Sequence, residues 1–407
     1  MEGFFDAIPL PTSKVESFVP RCGLCGLHKR CNTPKMPITG DGKLGILIVA
    51  EAPGAEEDER GVQLVGAAGQ VLRGTLSRLG VDLDRDCWKT NAIICRPKDN
   101  RTPSNDEVDY CRPNLAAAIR DLQPRVIVPL GGVAVRSVLG PLFREDTGPI
   151  GKWVGWQIPC QRHNAWIIPN YHPSYVLHTK DSREGPVVRL WFDRHIESAV
   201  RAEGRPWSTV PDWANDVRVL YDPEAVAQQL DAWVADGGAV AFDYETDRLK
   251  PDSGDASVVC CAVCWRGKVT IAYPWVGQAV RATQRLLAAS NPKIGANNKF
   301  EERWTRRALG VEVNNWAWDG MLSAHHLDCR DGITSVKFQA FVRLGMEPWD
   351  EHVKPYLRAE RGNDQNRIRQ LDLRSLLVYC GLDAFCEFKV AEAQRREMRC
   401  EEHARVS

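Results

Sequence analysis

The sequence predicts two domains in tandem, an α/β sandwich on a parallel sheet followed by an α+β domain. Three observations predict this. From Gly45 to Pro169, short apolar runs alternate with segments of helical spacing. From Ala202 to Asp212 the chain turns polar and carries proline and tryptophan. Beyond that stretch, strand-like runs come first and helical patterns later. The expected limits are 1–203 for the first domain, 204–216 for a linker and 217–407 for the second. A chain of 407 residues suits two cores of ordinary size.

Residues 1–45 are rich in Gly, Pro, Cys and Lys and lack periodicity, so loops and short helices are expected there. Gly45–Ala50 (GILIVA), bounded by turn residues, suits a buried strand. Ala67–Leu79 has helical spacing, and Trp88–Ile94 reads as a second strand. Ser104 with Glu107 forms a capping-box pattern that opens a helix through about Asp121. Arg125–Leu130 is a third strand, Gly132–Leu139 a helix and Trp166–Pro169 a fourth strand. In the second half, Ala239–Phe242, Ser257–Trp265 and Lys268–Tyr273 read as strands. The last two are joined by the two-residue hairpin signal Arg266-Gly267. Helical patterns then cover Ala279–Ala289, Phe300–Leu309, Met321–Leu327 and Ser375–Arg396.

The 53 basic and 53 acidic residues cancel, which excludes a globally basic chain but not a local basic patch. No apolar run reaches the length of a membrane helix, and Met1–Pro20 lacks an export signal, so a cytoplasmic location is expected. In such a compartment 14 cysteines argue for metal or cluster ligation over disulfides. Cys22 and Cys25 form C-x2-C, and Cys95 and Cys111 form C-x15-C. Together they supply four ligands, enough for an iron–sulfur cubane or a tetrahedral zinc, and composition leaves both open. Cys260, Cys261 and Cys264 read as buried strand thiols.

Asp243 and Glu245 are spaced i, i+2 on a strand, which puts both carboxylates on one face. Asp383 follows Tyr379 by one helical turn, and Glu301 in N-N-K-F-E is the expected fourth acid. Two metal ions bridged by such acids clamp the attacking and leaving oxygens of a phosphodiester, with Tyr379 orienting water.

Several motifs occur together over residues 15–200. They are Glu51-Ala52-Pro53-Gly54, Glu57-Asp58, Gly61–Gly69, Thr90-Asn91, Cys95-Arg96-Pro97, Asn100-Arg101, Pro103, Cys111 and His172-Pro173-Ser174-Tyr175. This region resembles the iron–sulfur (family 4) uracil-DNA glycosylases. The resemblance implies a four-stranded parallel α/β/α sandwich with a 4Fe–4S cluster on Cys22, Cys25, Cys95 and Cys111. It also implies a uracil pocket formed by Ala52, Gly54, Leu64, Asn91 and His172. There Asn91 reads the base edge, His172 donates to O2 as charge builds, and Glu51 orients water or stabilises the sugar cation. The chain departs from the family pattern at Ala50 (usually Gly), Leu64 (usually aromatic) and Ile94 (usually Lys). Leucine forgoes an aromatic–base stacking term of about 1–3 kcal/mol.

Residues 215–400 resemble the proofreading 3′–5′ exonuclease domain of family A DNA polymerases, through Phe242–Leu249, Asn297–Glu301, Asp319–Leu322 and Tyr379/Asp383. The resemblance implies a ribonuclease H-like fold holding two Mg²⁺ or Mn²⁺ on Asp243, Glu245, Glu301 and Asp383, with Asp319 as the fallback ligand. Glu301 stands where bacterial members usually carry Asp. No polymerase motifs follow. The expected function is a bifunctional DNA-processing enzyme that excises uracil and trims 3′ ends. Its substrate would be uracil-containing DNA and single-stranded or frayed 3′ ends, in a bacterial or phage-infected cell, with no membrane partner. Two alternatives stand beside it. One is an exonuclease whose glycosylase-like half only binds DNA. The other is a proofreading subunit for a separate DNA polymerase.

Overall fold

A computed structural model describes residues 19–144 and 146–406, so the loops and helices expected within 1–18 lie outside the described residues. The chain forms two compact units. One is Met1–Gly155 with Ala165–Arg205, and the other is Trp156–Asn164 with Pro206–Ser407. Among the described residues, no helix is long and apolar enough to cross a membrane.

The first unit's sheet contains β1 (Ile46–Ala50), β2 (Cys87–Asn91), β3 (Val126–Pro129) and β5 (Ala165–Ile167), in the order β2-β1-β3-β5, while β4 (Ile158–Cys160) belongs to the second unit. The four strands that lie in the first unit, β2, β1, β3 and β5, are mutually parallel. All five residues of β1 are buried, which explains a continuous apolar run without alternation. The helices Ala67–Arg78 and Gly185–Arg201 cover the sheet with Leu72, Leu76, Phe192 and Ile196, which share a core with Ile46, Ile48, Val126 and Val128. The helix Asn105–Leu122 opens on the expected capping box. Ser104 Oγ accepts from Glu107 N, and Glu107 Oε2 accepts from Ser104 N. The second strand ends at Asn91 rather than Ile94. Beyond it, Ala92 N and Ile93 N donate to the carbonyls of Ala50 and Glu51, which carries the chain past the end of β1.

The second sheet contains β6 (Val217–Val219), β7 (Val240–Thr246), β8 (Val258–Trp265), β9 (Val269–Pro274), β10 (Lys293–Gly295) and β11 (Trp316–Asp319), in the order β11-β10-β7-β8-β9-β6. Strands β7, β8 and β9 form an antiparallel meander, while β10 runs parallel to β7 and β11 parallel to β10. The expectation that strands precede helices is therefore corrected. Strands β10 and β11 return after the helices Gly277–Ala288 and Lys299–Leu309, and at three and four residues they are too short to show a period. The β8–β9 turn has three residues, not two. Trp265 pairs with Val269, and both Arg266 and Gly267 take positive φ.

The long helix Leu373–Val406 packs on one face of this sheet. Leu377, Cys380, Ala384 and Ala391 share a core with Ala241, Cys260, Ala262 and Ala272. The opposite face buries Phe242, Tyr244 and Val263 with Trp233, Leu286 and Trp304. The two-residue strand period thus sends Ala241, Asp243 and Glu245 toward the long helix and Phe242 and Tyr244 away from it.

Trp156–Asn164 keeps company with the second unit. Gln161 donates to the Pro211 carbonyl at 3.0 Å and Asn164 to the Trp207 carbonyl at 2.9 Å. Arg162 forks onto Glu347, with its Nε 3.1 Å from Oε1.

Candidate active sites

The parallel register places Ala50 opposite Asn91, so β1 and β2 end side by side and Glu51 follows directly. Ligands of open α/β sheets sit at such strand ends. Asn91 is 2% exposed, and its Nδ2 reaches only the weak acceptor Met36 Sδ at 3.9 Å. Its amide therefore keeps hydrogen-bonding capacity for a ligand. Glu51 is half-buried, and burial raises its carboxyl above the usual range. Gly54 permits a close approach, since a Cβ there would lie 2.5 Å from Glu57 Oε2. Glu57 Oε1 in turn accepts from Gly66 N at 3.0 Å, which ties the loop after β1 to the start of the next helix.

His172 caps the helix Pro173–Thr179. Its Nδ1 accepts from Ser174 N at 3.2 Å and lies 2.6 Å from Ser174 Oγ. Burial lowers its pKa to about 4, so the ring is neutral near pH 7. With Nδ1 accepting a backbone N–H, the single ring proton sits on Nε2.

Leu64 is placed differently from its neighbours in the motif. It is 4% exposed, sits in the core that holds Ala50, and adopts a φ of +56°. That left-handed conformation is rare for a branched apolar residue. The turn holds because Gly69 lacks a side chain, and a Cβ there would lie 2.0 Å from the Leu64 carbonyl oxygen.

Cys22, Cys25, Cys95 and Cys111 line one cavity together with His28 and Tyr110. All four are free thiols. Burial raises the pKa of Cys25 and Cys111 and pushes Cys95 up to about 12. A bound cationic centre would reverse that, and four sulfur donors around one cavity suit an iron–sulfur cluster or, drawn closer together, a zinc ion. Lys35 N donates to Cys95 Sγ at 3.2 Å and Asn114 Nδ2 to Cys111 Sγ at 3.6 Å. Ala52 packs against this cysteine cluster, so the pocket loop and the thiol site share a wall.

In the second unit, Asp243, Glu245 and Cys380 bring ligand atoms within 4.8 Å of one another. Cys380 Sγ lies 3.6 Å from Asp243 Oδ2. Burial, then the neighbouring Asp383, raises the Asp243 carboxyl to about 8. Glu245 and Glu301 are pushed well above the carboxylate range, by burial first and Asp243 second. Glu301 is 3% exposed, and among the described residues its Oε2 has no hydrogen-bond partner. Buried carboxylates crowded in this way call for cations.

Sequence reasoning missed one group at this site. Lys337, on the helix Val336–Leu344, donates to Asp383 Oδ1 at 2.5 Å and to Tyr379 Oη at 3.1 Å. Burial works against its charge, and Asp383 more than offsets that. A lysine far from the acidic motifs gives no signal in sequence; only the packing of its helix on the long one brings it here. Asp319 is occupied elsewhere. Its oxygens accept from the backbone amides of Asn297, Asn298, Met321 and Leu322, joining β11 to two helix starts.

Residues 37–193 match the family model described as the uracil DNA glycosylase superfamily. A type-4 uracil-DNA glycosylase of Pyrobaculum aerophilum is 42% identical over 168 residues, covering 40% of this chain and 83% of that protein. One from Thermotoga maritima is 34% identical over 193 residues, covering 47% of this chain and 95% of that protein. A DNA polymerase of Bacillus phage SP01 is 24% identical over 399 residues, covering 89% of this chain and 41% of the polymerase. This chain thus spans about two-fifths of that polymerase's length.

Proposed function

This chain belongs, through its first half, to the type-4 uracil-DNA glycosylase family, and on that premise we propose that it is a bifunctional DNA-processing enzyme. The first unit excises uracil, and the second removes nucleotides from 3′ ends with divalent ions. The observation that carries the reading is that one chain holds two sets of polar groups, Asn91 with Glu51 and His172, and Asp243 with Glu245, Glu301 and Asp383, each suited to one step on DNA.

In the first unit, a flipped uracil offers O4 and N3–H to the Asn91 amide, which supplies one donor and one acceptor. Neutral His172 donates its Nε2 proton to O2 as the leaving base gathers negative charge. Glu51, at the end of β1, faces the sugar, where its charge stabilises the oxocarbenium-like centre and orients water. Cys22, Cys25, Cys95 and Cys111 would hold a 4Fe–4S cluster, and the core around Cys95 and Cys111 packs against Ala52 of the pocket loop.

In the second unit, two Mg²⁺ or Mn²⁺ ions on Asp243, Glu245, Glu301 and Asp383 would supply Lewis-acid activation of water and charge neutralisation. Tyr379 keeps its proton, because burial and the nearby Asp383 raise its pKa well above 10. Its hydroxyl therefore orients water. Lys337 holds Asp383 in place from the opposite side. The likeness to a phage DNA polymerase over 89% of the chain supports DNA as the substrate and replication as the setting, with a separate polymerase as the candidate protein partner.

One gel tests both activities. End-labelled single-stranded DNA, with and without one uracil, is incubated with Mn²⁺ or with EDTA. Alkali-labile abasic sites in EDTA and a 3′ ladder only with Mn²⁺ are expected. A second reading, in which the first unit binds DNA without cutting it, is favoured by Leu64, which lies in the core instead of offering an aromatic face. Absence of abasic sites alongside a normal ladder would select that reading.

A further inference from the structure

We propose that Glu387 is a fifth carboxylate of the ion site on β7, completing the coordination of the divalent ions that Asp243, Glu245, Glu301 and Asp383 would hold. The proposal rests on the exonuclease reading of that site and adds a residue to it.

Glu387 lies one helical turn beyond Asp383 and two beyond Tyr379 on the long helix. Residues four apart share a helix face, so Glu387 continues the stripe that faces β7. It is 5% exposed, and among the described residues its Oε2 has no hydrogen-bond partner. After its own burial, the strongest influences on its carboxyl are the charges of Asp243, Glu301, Asp383 and Lys337, all members of the same site. Glu301 Oε2, also buried, lacks a partner too.

A buried glutamate can avoid its charge by protonation, but a protonated carboxyl is a donor and still needs an acceptor. No described residue donates to Oε2, so the ionised form lacks a partner that a cation would supply. Asp243, Glu245, Glu301, Asp383 and Glu387 stand against one ammonium, Lys337, and leave four negative charges when all are ionised. Two divalent ions cancel these four charges. Without Glu387 the same two ions would leave the site with one net positive charge.

The test uses the full chain, dialysed against EDTA, and titrates Mn²⁺ by calorimetry alongside thermal melts. Glu387→Gln should weaken Mn²⁺ binding about tenfold or more. It should leave the melting temperature of the metal-free protein near wild type, since burial keeps Glu387 protonated there and glutamine matches that form, and should shrink the stabilisation that Mn²⁺ confers. A purely structural glutamate would lower the metal-free melt instead. A Glu387→Gln isotherm identical to wild type overturns the proposal. If that variant fails to fold, Glu387→Asp draws the carboxylate back by one methylene and should weaken Mn²⁺ binding in a folded protein; unchanged affinity there overturns it equally. Asp243→Asn separates the two levels. Loss of Mn²⁺ binding in Asp243→Asn with none in Glu387→Gln refutes Glu387 alone. Unchanged binding in both refutes the exonuclease site and this proposal with it.

Discussion

His172→Asn should slow uracil release by about 10²–10³-fold while leaving DNA affinity near wild type. Asparagine keeps a side-chain acceptor for Ser174 N, so the helix cap survives, but it lacks the reach of the imidazole. The ring has one proton to give, on Nε2, because Nδ1 already accepts from Ser174 N at 3.2 Å. Loss of one donor to a developing oxyanion costs about 2.7–4 kcal/mol, which is the stated rate factor. Affinity rests mainly on phosphate contacts and should hold. The pH dependence is a sharper test. With a pKa near 4, His172 is protonated in about one molecule in a thousand at pH 7. Single-turnover release from a uracil-containing oligonucleotide should therefore not rise as pH falls through 6.5. Stability follows the same linkage. The folded pKa is depressed, so the contribution of His172 is complete above pH 6.5 and is lost as pH falls toward about 4. A rate that climbs on acidification through pH 6.5 would refute the neutral-donor argument, as would wild-type release by His172→Asn.

Three other outcomes are expected. The Asp243 carboxyl is raised from 3.8 to about 8, so its contribution to stability is complete below pH 3.8 and lost as pH rises toward 8. Calorimetry in EDTA should show wild type weakening over that range and Asp243→Asn much less; parallel trends would contradict it. Protein purified without oxygen should carry about four irons and lose them in Cys111→Ser, whereas one zinc per chain would assign the quartet to zinc. Glu301→Gln should weaken Mn²⁺ binding, while Asp319→Ala should chiefly lower the melting temperature, since Asp319 serves four backbone amides. The opposite ranking would transfer the ligand role to Asp319.

What was legible in the sequence follows from the length and period of each element. The helix Gly132–Leu139 was readable from its spacing, and the helix Asn105–Leu122 because spacing and cap coincide. Asp243 and Glu245 could be placed on one face because a strand has a period of two. Strands β10 and β11 carry three and four residues, below what any period can reveal, and only the register with β7 assigns them. Lys337 was invisible for another reason. Its role comes from a contact between two helices 42 residues apart in sequence, and its local pattern is that of an ordinary amphipathic helix. The burial of Leu64 was equally hidden, because a left-handed leucine held by Gly69 leaves no mark in hydrophobic spacing.

The segment Trp156–Asn164 has a bearing on how this chain can be taken apart. Its side chains are satisfied by Pro211, Trp207 and Glu347, so the backbone enters the second unit, leaves it and enters again. Three covalent tethers therefore join the halves, at 155/156, 164/165 and 205/206. A protease that nicks the chain once after Arg205 leaves two of them intact, and nicked protein should still migrate as one species under native conditions. A gene split at the same point would assign those nine residues to the wrong product. Expressing either half alone thus calls for a circularly permuted or loop-shortened design at residues 156–164, and a lineage that shuffled these halves by simple end-to-end joining would have lacked this threading.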